Sequence, residues 1–313
     1  MSDLSLMYKL KRATTIKQSP DGKYFAVSST YVILMSSESK QALYKFNKFK
    51  CATTCTFSHD SKFLAIRSDL GKVLLFSLDR MEVVSTYAPS HQEGSEILFS
   101  PDDKHLIVSD WNGKIFKIDI EKGRVFDFKS YPGYMIKSAR YDAEHGKILF
   151  LISHIIADGQ TALNSTGQDL FVEWDYFKGD DAIKEYRING TVAEIIYNAV
   201  RKIYFVLRYN SFKIYNEDFE KESDIYNLEP KEFIYTAACS SDGRYLAIIL
   251  SAKWTLLIYE WSSQLTPVKK CLIDNITHVQ FIMIEGEECL FLGAYDEGSL
   301  YNFKKFLEDP EFA

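Results

Sequence analysis

Histidine and cysteine side chains are the first candidates for chemistry, because they supply most metal ligands and several kinds of nucleophile. No two histidines have the His-x-x-x-His or His-Glu-x-x-His spacing of a local metal site, although residues from distant loops could still meet in space. Cys51 and Cys55 would need further ligands from elsewhere to bind a metal, so small buried thiols are favoured. The histidines are His59, His91, His105, His145, His154 and His278.

Motifs for nucleotide binding or nucleophilic catalysis are absent from the sequence. It contains no Gly-x-Gly-x-x-Gly, no P-loop and no Gly-x-Ser-x-Gly nucleophile elbow. The acidic pairs Asp102-Asp103, Asp180-Asp181 and Glu287-Glu288 fall at predicted turns, where carboxylates are solvated rather than tuned for acid–base work. The sequence therefore predicts no catalytic residue, no metal and no cofactor.

Aromatic side chains in predicted turns are better candidates, for binding rather than for catalysis. A tryptophan in a turn has little packing reason to be there, and Trp, Tyr and Arg are the residues that most often anchor protein interfaces. Alternatively, these side chains fold back onto neighbouring strands. The candidates are Trp111 and Trp254 in turns, Tyr131 and Tyr134 in a connection, and Arg67 and Arg208 at the ends of predicted strands.

Composition and charge narrow the class of partner. The 313 residues carry a net charge of -6 and no basic run with interleaved aromatics, which argues against a nucleic-acid partner. The N-terminus lacks the pattern of a signal peptide, and no apolar run is long enough for a membrane span. Because the 5 cysteines are an odd number without disulfide-framework spacing, we expect a reduced, cytoplasmic protein.

A repeated hairpin must position these residues. Residues 100–119 form a polar turn, an apolar strand, an Asn-Gly turn and a second strand, and Asn-Gly between two apolar runs is a strong hairpin signal. The pattern recurs seven times at intervals of about 39 to 43 residues, with one interval of about 56, which is the period of propeller blades. The turns begin at Ser19, Ser58, Ser100, Tyr141, Tyr197, Ser240 and Ile282.

The strands after these turns are continuously apolar, as expected for strands that are buried on both faces. Together with the period and the Ser-Pro-Asp-Gly type of turn, they make nearly the whole chain resemble the WD40-repeat family. The Trp-Asp that often ends the third strand of a family repeat occurs only at Trp174-Asp175, and the Gly-His signature is absent, although His91 lies near its place. The resemblance implies an all-β, seven-bladed β-propeller of four-stranded antiparallel blades, as a single domain over residues 1–313.

The two chain ends are expected to share the last blade. The seventh unit ends near residues 303–306, which leaves no room for a fourth strand. The segment from Leu4 to Leu10 is therefore predicted to be the outer strand of that blade, which removes an open sheet edge. The alternative is a frayed N-terminus.

The long interval lies at residues 153–169, which include His154, and loops of this length tend to be functional, although a tolerated surface insertion fits equally well. The resemblance places this loop on one propeller face with the aromatic candidates. It implies a non-catalytic scaffold for a protein or peptide partner. The alternatives are a propeller enzyme of the lactonase or hydrolase kind and a binder of a small ligand or glycan at the central channel. The predicted binding residues are Trp111, Trp254, Tyr131, Tyr134, Arg67, Arg208 and His154.

Overall fold

The computed structural model of the chain divides into two compact units, Lys17–Thr191 and Met1–Ile16 with Val192–Ala313. No helix among the described residues is long and apolar enough to cross a membrane. The structure describes residues 5–11, 13–49, 51–94, 96–142, 146–154, 168–190, 192–208, 211–219, 222–227, 233–251, 254–261, 267–294 and 296–310.

The described strands form seven four-stranded antiparallel sheets, here called blades 1 to 7. Strand β1 (Leu6–Lys11) comes first in the chain and belongs to blade 7. In blades 1 to 4 the strands follow one another across the sheet in chain order. Blade 1 contains β2 (Thr15–Gln18), β3 (Tyr24–Ser28), β4 (Val32–Ser36) and β5 (Ala42–Lys45); blade 2 contains β6 (Ala52–Phe57), β7 (Phe63–Ser68), β8 (Val73–Ser77) and β9 (Glu82–Tyr87); blade 3 contains β10 (Ile97–Phe99), β11 (His105–Ser109), β12 (Lys114–Asp119) and β13 (Arg124–Ser130); blade 4 contains β14 (Tyr134–Asp142), β15 (Lys147–His154), β16 (Gln168–Asp175) and β17 (Ile183–Asn189).

Blades 5 and 6 repeat this order, and blade 7 is completed by the N-terminal strand. A 3-10 helix, Tyr176–Lys178, follows β16, and helix α1, Phe303–Glu308, follows the last strand. Blade 5 contains β18 (Glu194–Asn198), β19 (Ile203–Leu207), β20 (Ser211–Asn216) and β21 (Glu222–Asn227); blade 6 contains β22 (Ile234–Cys239), β23 (Tyr245–Leu250), β24 (Thr255–Glu260) and β25 (Pro267–Leu272); blade 7 contains β26 (Ile276–Ile284), β27 (Glu287–Ala294) and β28 (Glu297–Asn302) with β1.

This architecture is the seven-bladed β-propeller class that the repeat predicts, so the predicted fold class is confirmed. The N-terminal strand is confirmed too. Strand β1 pairs antiparallel with β28, with Tyr8 opposite Leu300 and Leu10 opposite Gly298. The strand begins at Leu6, two residues later than predicted, and Leu4 lies outside the described residues. The alternative of a frayed N-terminus is wrong for residues 6–11.

One hydrogen-bond pattern explains why four hairpins form where the sequence places them. The first serine of the turn donates from Oγ to an aspartate two residues later, and the same Oγ accepts the backbone N–H of the residue that begins the next strand. The residue after the aspartate has a positive φ, which glycine adopts most readily. The serine–aspartate pairs are Ser19–Asp21, Ser58–Asp60, Ser100–Asp102 and Ser240–Asp242, with O–O distances of 2.7, 2.8, 2.7 and 2.6 Å.

The core lies between neighbouring blades of each unit. In β7, Leu64 and Ile66 pack in the cluster that contains Leu34 of blade 1, whereas Ala65 packs in the cluster that contains Phe99 of blade 3. Alternate residues of one strand therefore face opposite neighbours, because successive side chains of a strand point to opposite faces. This is the physical reason for the continuous apolar runs. Strand β23 follows the same rule between blades 5 and 7.

Candidate partner-binding surfaces

The turn between β11 and β12 presents Trp111 on a rigid hairpin. The buried carboxylate of Asp110 accepts hydrogen bonds from Ser90 Oγ at 2.9 Å and from the backbone N–H groups of Asn112 at 3.0 Å and Lys114 at 2.9 Å. Trp111 is 43% exposed, and its indole makes no hydrogen bond or ring contact with the described residues. The turn therefore holds a large apolar side chain towards solvent.

Two tyrosines of the connection between β13 and β14 lie beside this turn. The Tyr131 N–H donates to Gly113 O at 2.8 Å, and a Cβ on Gly113 would lie 2.2 Å from Tyr131 O, so only glycine fits there. Tyr131 is buried, and its hydroxyl donates to Glu185 at 3.1 Å; burial, with Glu185 adding to it, raises the pKa of Tyr131. The half-buried Tyr134 ring packs edge-on against the His154 ring, with centroids 5.2 Å apart.

Arg67 has an internal role. It is fully buried and donates to the carbonyl oxygens of Gly94 and Gln92 in the segment between β9 and β10. Burial lowers the pKa of Arg67 to about 10. The neighbouring Glu93 carbonyl accepts the Trp111 N–H at 2.8 Å. Arg67 therefore positions the segment that supports Trp111, whereas the sequence suggested contact with a partner.

His154 ends β15 at the start of the long loop. Its backbone N–H donates to Asp169 at 3.4 Å, while Ser153 Oγ donates to the same carboxylate at 2.8 Å, so Asp169 holds the two stems of the loop together. The His154 Nδ1 atom is buried without a hydrogen-bond partner among the described residues. The strands run further into the loop than predicted, and residues 155–167 lie outside the described part of the chain.

The unit of residues 192–313 holds the other two candidates. Trp254 has a φ of 50° in the turn before β24, is half-buried, and packs edge-on against Tyr235 with centroids 6.0 Å apart. Tyr235 is 47% exposed, so Trp254 and Tyr235 form a partly exposed aromatic patch. Arg208 is half-buried, with no partner for Nε in the described chain. That all seven residues share one face stays a prediction.

A groove of about 790 Å³, which no sequence pattern predicted, lies between blades 3 and 4. One wall is strand β13, and the other contains Asp180 and Asp181 of the connection from β16 to β17 with Ile183 and Glu185 of β17. Phe128 of β13 stacks on Trp174 with ring centroids 4.1 Å apart. We call this site the outer groove. Its one visible signal was length, because residues 176–182 join β16 to β17 where residues 120–123 suffice in blade 3.

Lys117 and His105 line the outer groove, and both contact the connection from β16 to β17. The Lys117 ammonium lies 2.9 Å from Asp180 Oδ1 and 5.7 Å from the Trp174 ring centroid. The Tyr176 hydroxyl donates to Asp102 at 3.0 Å and lies 2.7 Å from His105 Nδ1. Burial and the nearby Lys117 lower the pKa of His105, so its imidazole is neutral at pH 7.

Charged side chains of blades 1, 2 and 4 also influence Glu96, which lies just before β10. Burial raises the pKa of the Glu96 carboxyl, against the opposing charges of Lys17, Arg140 and Arg67. No group of three or more His, Cys, Asp or Glu residues in the described ranges is arranged to hold a metal ion.

Comparison with known proteins defines the fold class further. No family model matches the sequence, and no curated protein matches it. Among solved structures, the β-propeller domain of Cps50 (Swd1) from Myceliophteria thermophila is similar with a TM-score of 0.74 and 12% identity, covering 95% of this chain and 99% of that chain. The C-terminal WD40 domain of Sif2 gives 0.68 and 12%, covering 93% and 81%. The chain thus has a WD40-like propeller fold, which confirms the resemblance at the level of fold.

Proposed function

We propose that this protein is a non-catalytic scaffold that binds a protein or peptide through the turns around Trp111. WD40-like propellers are typically protein-interaction scaffolds, which supports the class of function. Fold alone does not assign function, so the site must carry the argument. We further propose that residues 1–313 act as one domain in the cytoplasm, where the five free thiols would stay reduced.

The exposed indole of Trp111 is the observation that carries the proposal. An isolated surface tryptophan on a flexible loop would lose entropy on binding, whereas this one is mounted on a turn fixed by three hydrogen bonds to Asp110. Tyr134 is linked to the same turn by two backbone hydrogen bonds, because its N–H donates to Tyr131 O and the Tyr131 N–H donates to Gly113 O. A rigid aromatic anchor beside a half-buried tyrosine is typical of an interface hot spot.

The test compares Trp111→Ala with Leu43→Ala in the full chain. Leu43 is also 43% exposed but lies on the outer strand of blade 1, so it controls for the loss of exposed apolar surface alone. Proteins retained by the immobilised wild-type chain are identified by mass spectrometry, and the affinity of each is measured with purified variants. We expect Trp111→Ala to weaken a specific partner by about 2 kcal/mol or more, as is usual for a hot-spot tryptophan.

Intrinsic fluorescence supplies a second measurement. Partner binding should shield the Trp111 indole from acrylamide quenching, and the protection should be lost in Trp111→Phe. Circular dichroism must show that the variants are folded. Equal affinity of wild type and Trp111→Ala for every retained protein would refute this surface, and a partner lost only in Trp254→Ala would move the site to the aromatic patch of blade 6.

A further inference from the structure

The outer groove has the shape of a site for extended chain. Four consecutive residues of β13, from Phe126 to Lys129, line it, so the groove follows the strand. Strand β13 is the edge of blade 3 and pairs only with β12 in the described sheet. An edge strand offers a straight wall of unpaired backbone groups beside which another extended segment can lie.

A break in register supplies the apolar surface of the groove. Between Ile115 and Phe116 the pairing of β12 with β13 shifts, which leaves Phe128 without an opposite residue. The Phe128 ring stacks on the fully buried Trp174, so it forms a fixed floor. Phe126, two residues away and 45% exposed, adds a second apolar contact at the rim.

The charges of the groove select the partner. Five carboxylates line it against two lysines. Lys117 is already paired with Asp180, and Asp119 is paired with Lys122 at 3.1 Å. The carboxylates that remain belong to three exposed residues. Among the described residues only one of the three has an ammonium nearby, at 3.9 Å, and Glu185 also accepts the Tyr131 hydroxyl at 3.1 Å. They are Asp127, Asp181 and Glu185.

We propose that the outer groove binds an extended segment of another protein that carries lysine or arginine side chains alternating with apolar ones. In an extended chain, alternate side chains point to opposite sides. One set would meet these three exposed carboxylates, and the other would lie on Phe126 and Phe128. This site is separate from the turns around Trp111 and does not depend on that assignment.

The test uses a fluorescein-labelled octapeptide, (Lys-Val)4, with (Glu-Val)4 as the charge control, in a fluorescence anisotropy titration of the full chain. We expect saturable binding of (Lys-Val)4 and none of (Glu-Val)4. The variant Asp127→Lys/Asp181→Lys should weaken binding about tenfold or more, and Phe126→Ala should weaken it about fivefold. Trp111→Ala should leave it unchanged.

A matched variant tests whether the position matters or only the net charge. Asp79→Lys/Glu82→Lys makes the same reversal of two exposed carboxylates at the corresponding turn and outer strand of blade 2. We expect less than about a twofold effect from it, because neither residue lines the groove and salt screens exposed charges. Circular dichroism must show that both double variants are folded.

Several results would overturn the proposal. One is equal weakening by the two double variants, which would reduce binding to the general acidity of the protein. Another is full competition by spermine together with an unchanged affinity of Phe126→Ala, which would make the groove a site for small polycations. Failure of (Lys-Val)4 to bind at a protein concentration of about 0.1 mM would also count against the proposal. A dissociation constant above that concentration would be weaker than ordinary peptide recognition.

Discussion

Replacing Asp110 with alanine tests how the structure holds Trp111 in place. The Asp110 carboxylate is 1% exposed and accepts three hydrogen bonds, one from Ser90 and two from backbone N–H groups of its own turn. Alanine removes the carboxylate that accepts all three hydrogen bonds. The Ser90 hydroxyl, which is 8% exposed, loses its acceptor in the protein interior, whereas water can reach the turn amides of Asn112 and Lys114 more easily.

The size of the effect follows from these three bonds. A hydrogen bond to a charged group contributes about 1.5 to 3 kcal/mol to stability, and a donor left buried without a partner costs about 1 to 3 kcal/mol. Allowing for hydration of the two amides, we expect Asp110→Ala to lower the free energy of unfolding by about 3 kcal/mol. Asp110→Asn keeps one carbonyl oxygen for the amides, so we expect a loss of about 1 kcal/mol.

The assay is guanidinium denaturation followed by circular dichroism, with Asp69→Ala as the matched control. Asp69 lies in the corresponding turn of blade 2, but its buried Oδ1 atom has no hydrogen-bond partner among the described residues. Its removal breaks no hydrogen bond of that atom, so it should lower the free energy of unfolding by less than about 0.5 kcal/mol. If Asp110→Ala costs under about 1 kcal/mol, or no more than Asp69→Ala, the hydrogen bonds do not stabilise the turn as argued.

Three further predictions concern other parts of the chain. Burial alone would raise the pKa of Asp102, yet the hydrogen bonds that its carboxylate accepts lower this pKa. The carboxylate therefore stabilises the fold above the unfolded pKa of about 3.9, and this contribution is lost as the pH falls through the folded pKa. We expect Asp102→Asn to make the free energy of unfolding depend less on pH between about pH 5 and pH 3. Alkylation of the native protein should label the exposed Cys51 first, while burial raises the pKa of Cys55 and protects it. Trp174→Phe should cost about 2 kcal/mol, because it opens space in the core and removes the Nε1–H bond to Gly179 O at 3.1 Å.

Each of these has a clear contrary result. An acid profile that is the same in Asp102→Asn and wild type would show that the turn carboxylate is not linked to folding. Labelling of Cys55 at the rate of Cys51, read by peptide mass spectrometry, would contradict the burial of β6. A thermal melt of Trp174→Phe that matches wild type would mean that this side chain is not part of the blade 4 core.

Much of the fold could be predicted because its signals are local. The serine–aspartate turns form through hydrogen bonds between residues two to five apart, so Ser100 and Asp102 are recognisable in any sequence context. The continuous apolar strands report burial on two faces, which only a stack of sheets provides. The assignment of residues 6–10 to the last blade followed from counting the strands of each repeat, since the seventh repeat lacked one strand.

The candidate site was predictable only in part. Trp111 is exposed, as expected from a tryptophan in a turn, but Arg67 is buried against the carbonyl of Gly94, 27 residues away. Ser68-Asp69 and Ser109-Asp110 look alike in the sequence. The second pair differs because the connection between blades 2 and 3 brings Ser90 to the Asp110 carboxylate.

The amino-acid sequence by itself determined the repeating unit, its number and its turns, because these depend on side-chain periodicity and on bonds between near neighbours. The tertiary structure alone decided which distant groups meet. Phe128 reaches Trp174, and Lys117 reaches Asp180, 63 residues further along, only because blades 3 and 4 are packed side by side. A groove is a property of two surfaces together, and no local pattern in either strand records the shape or the charge of the other.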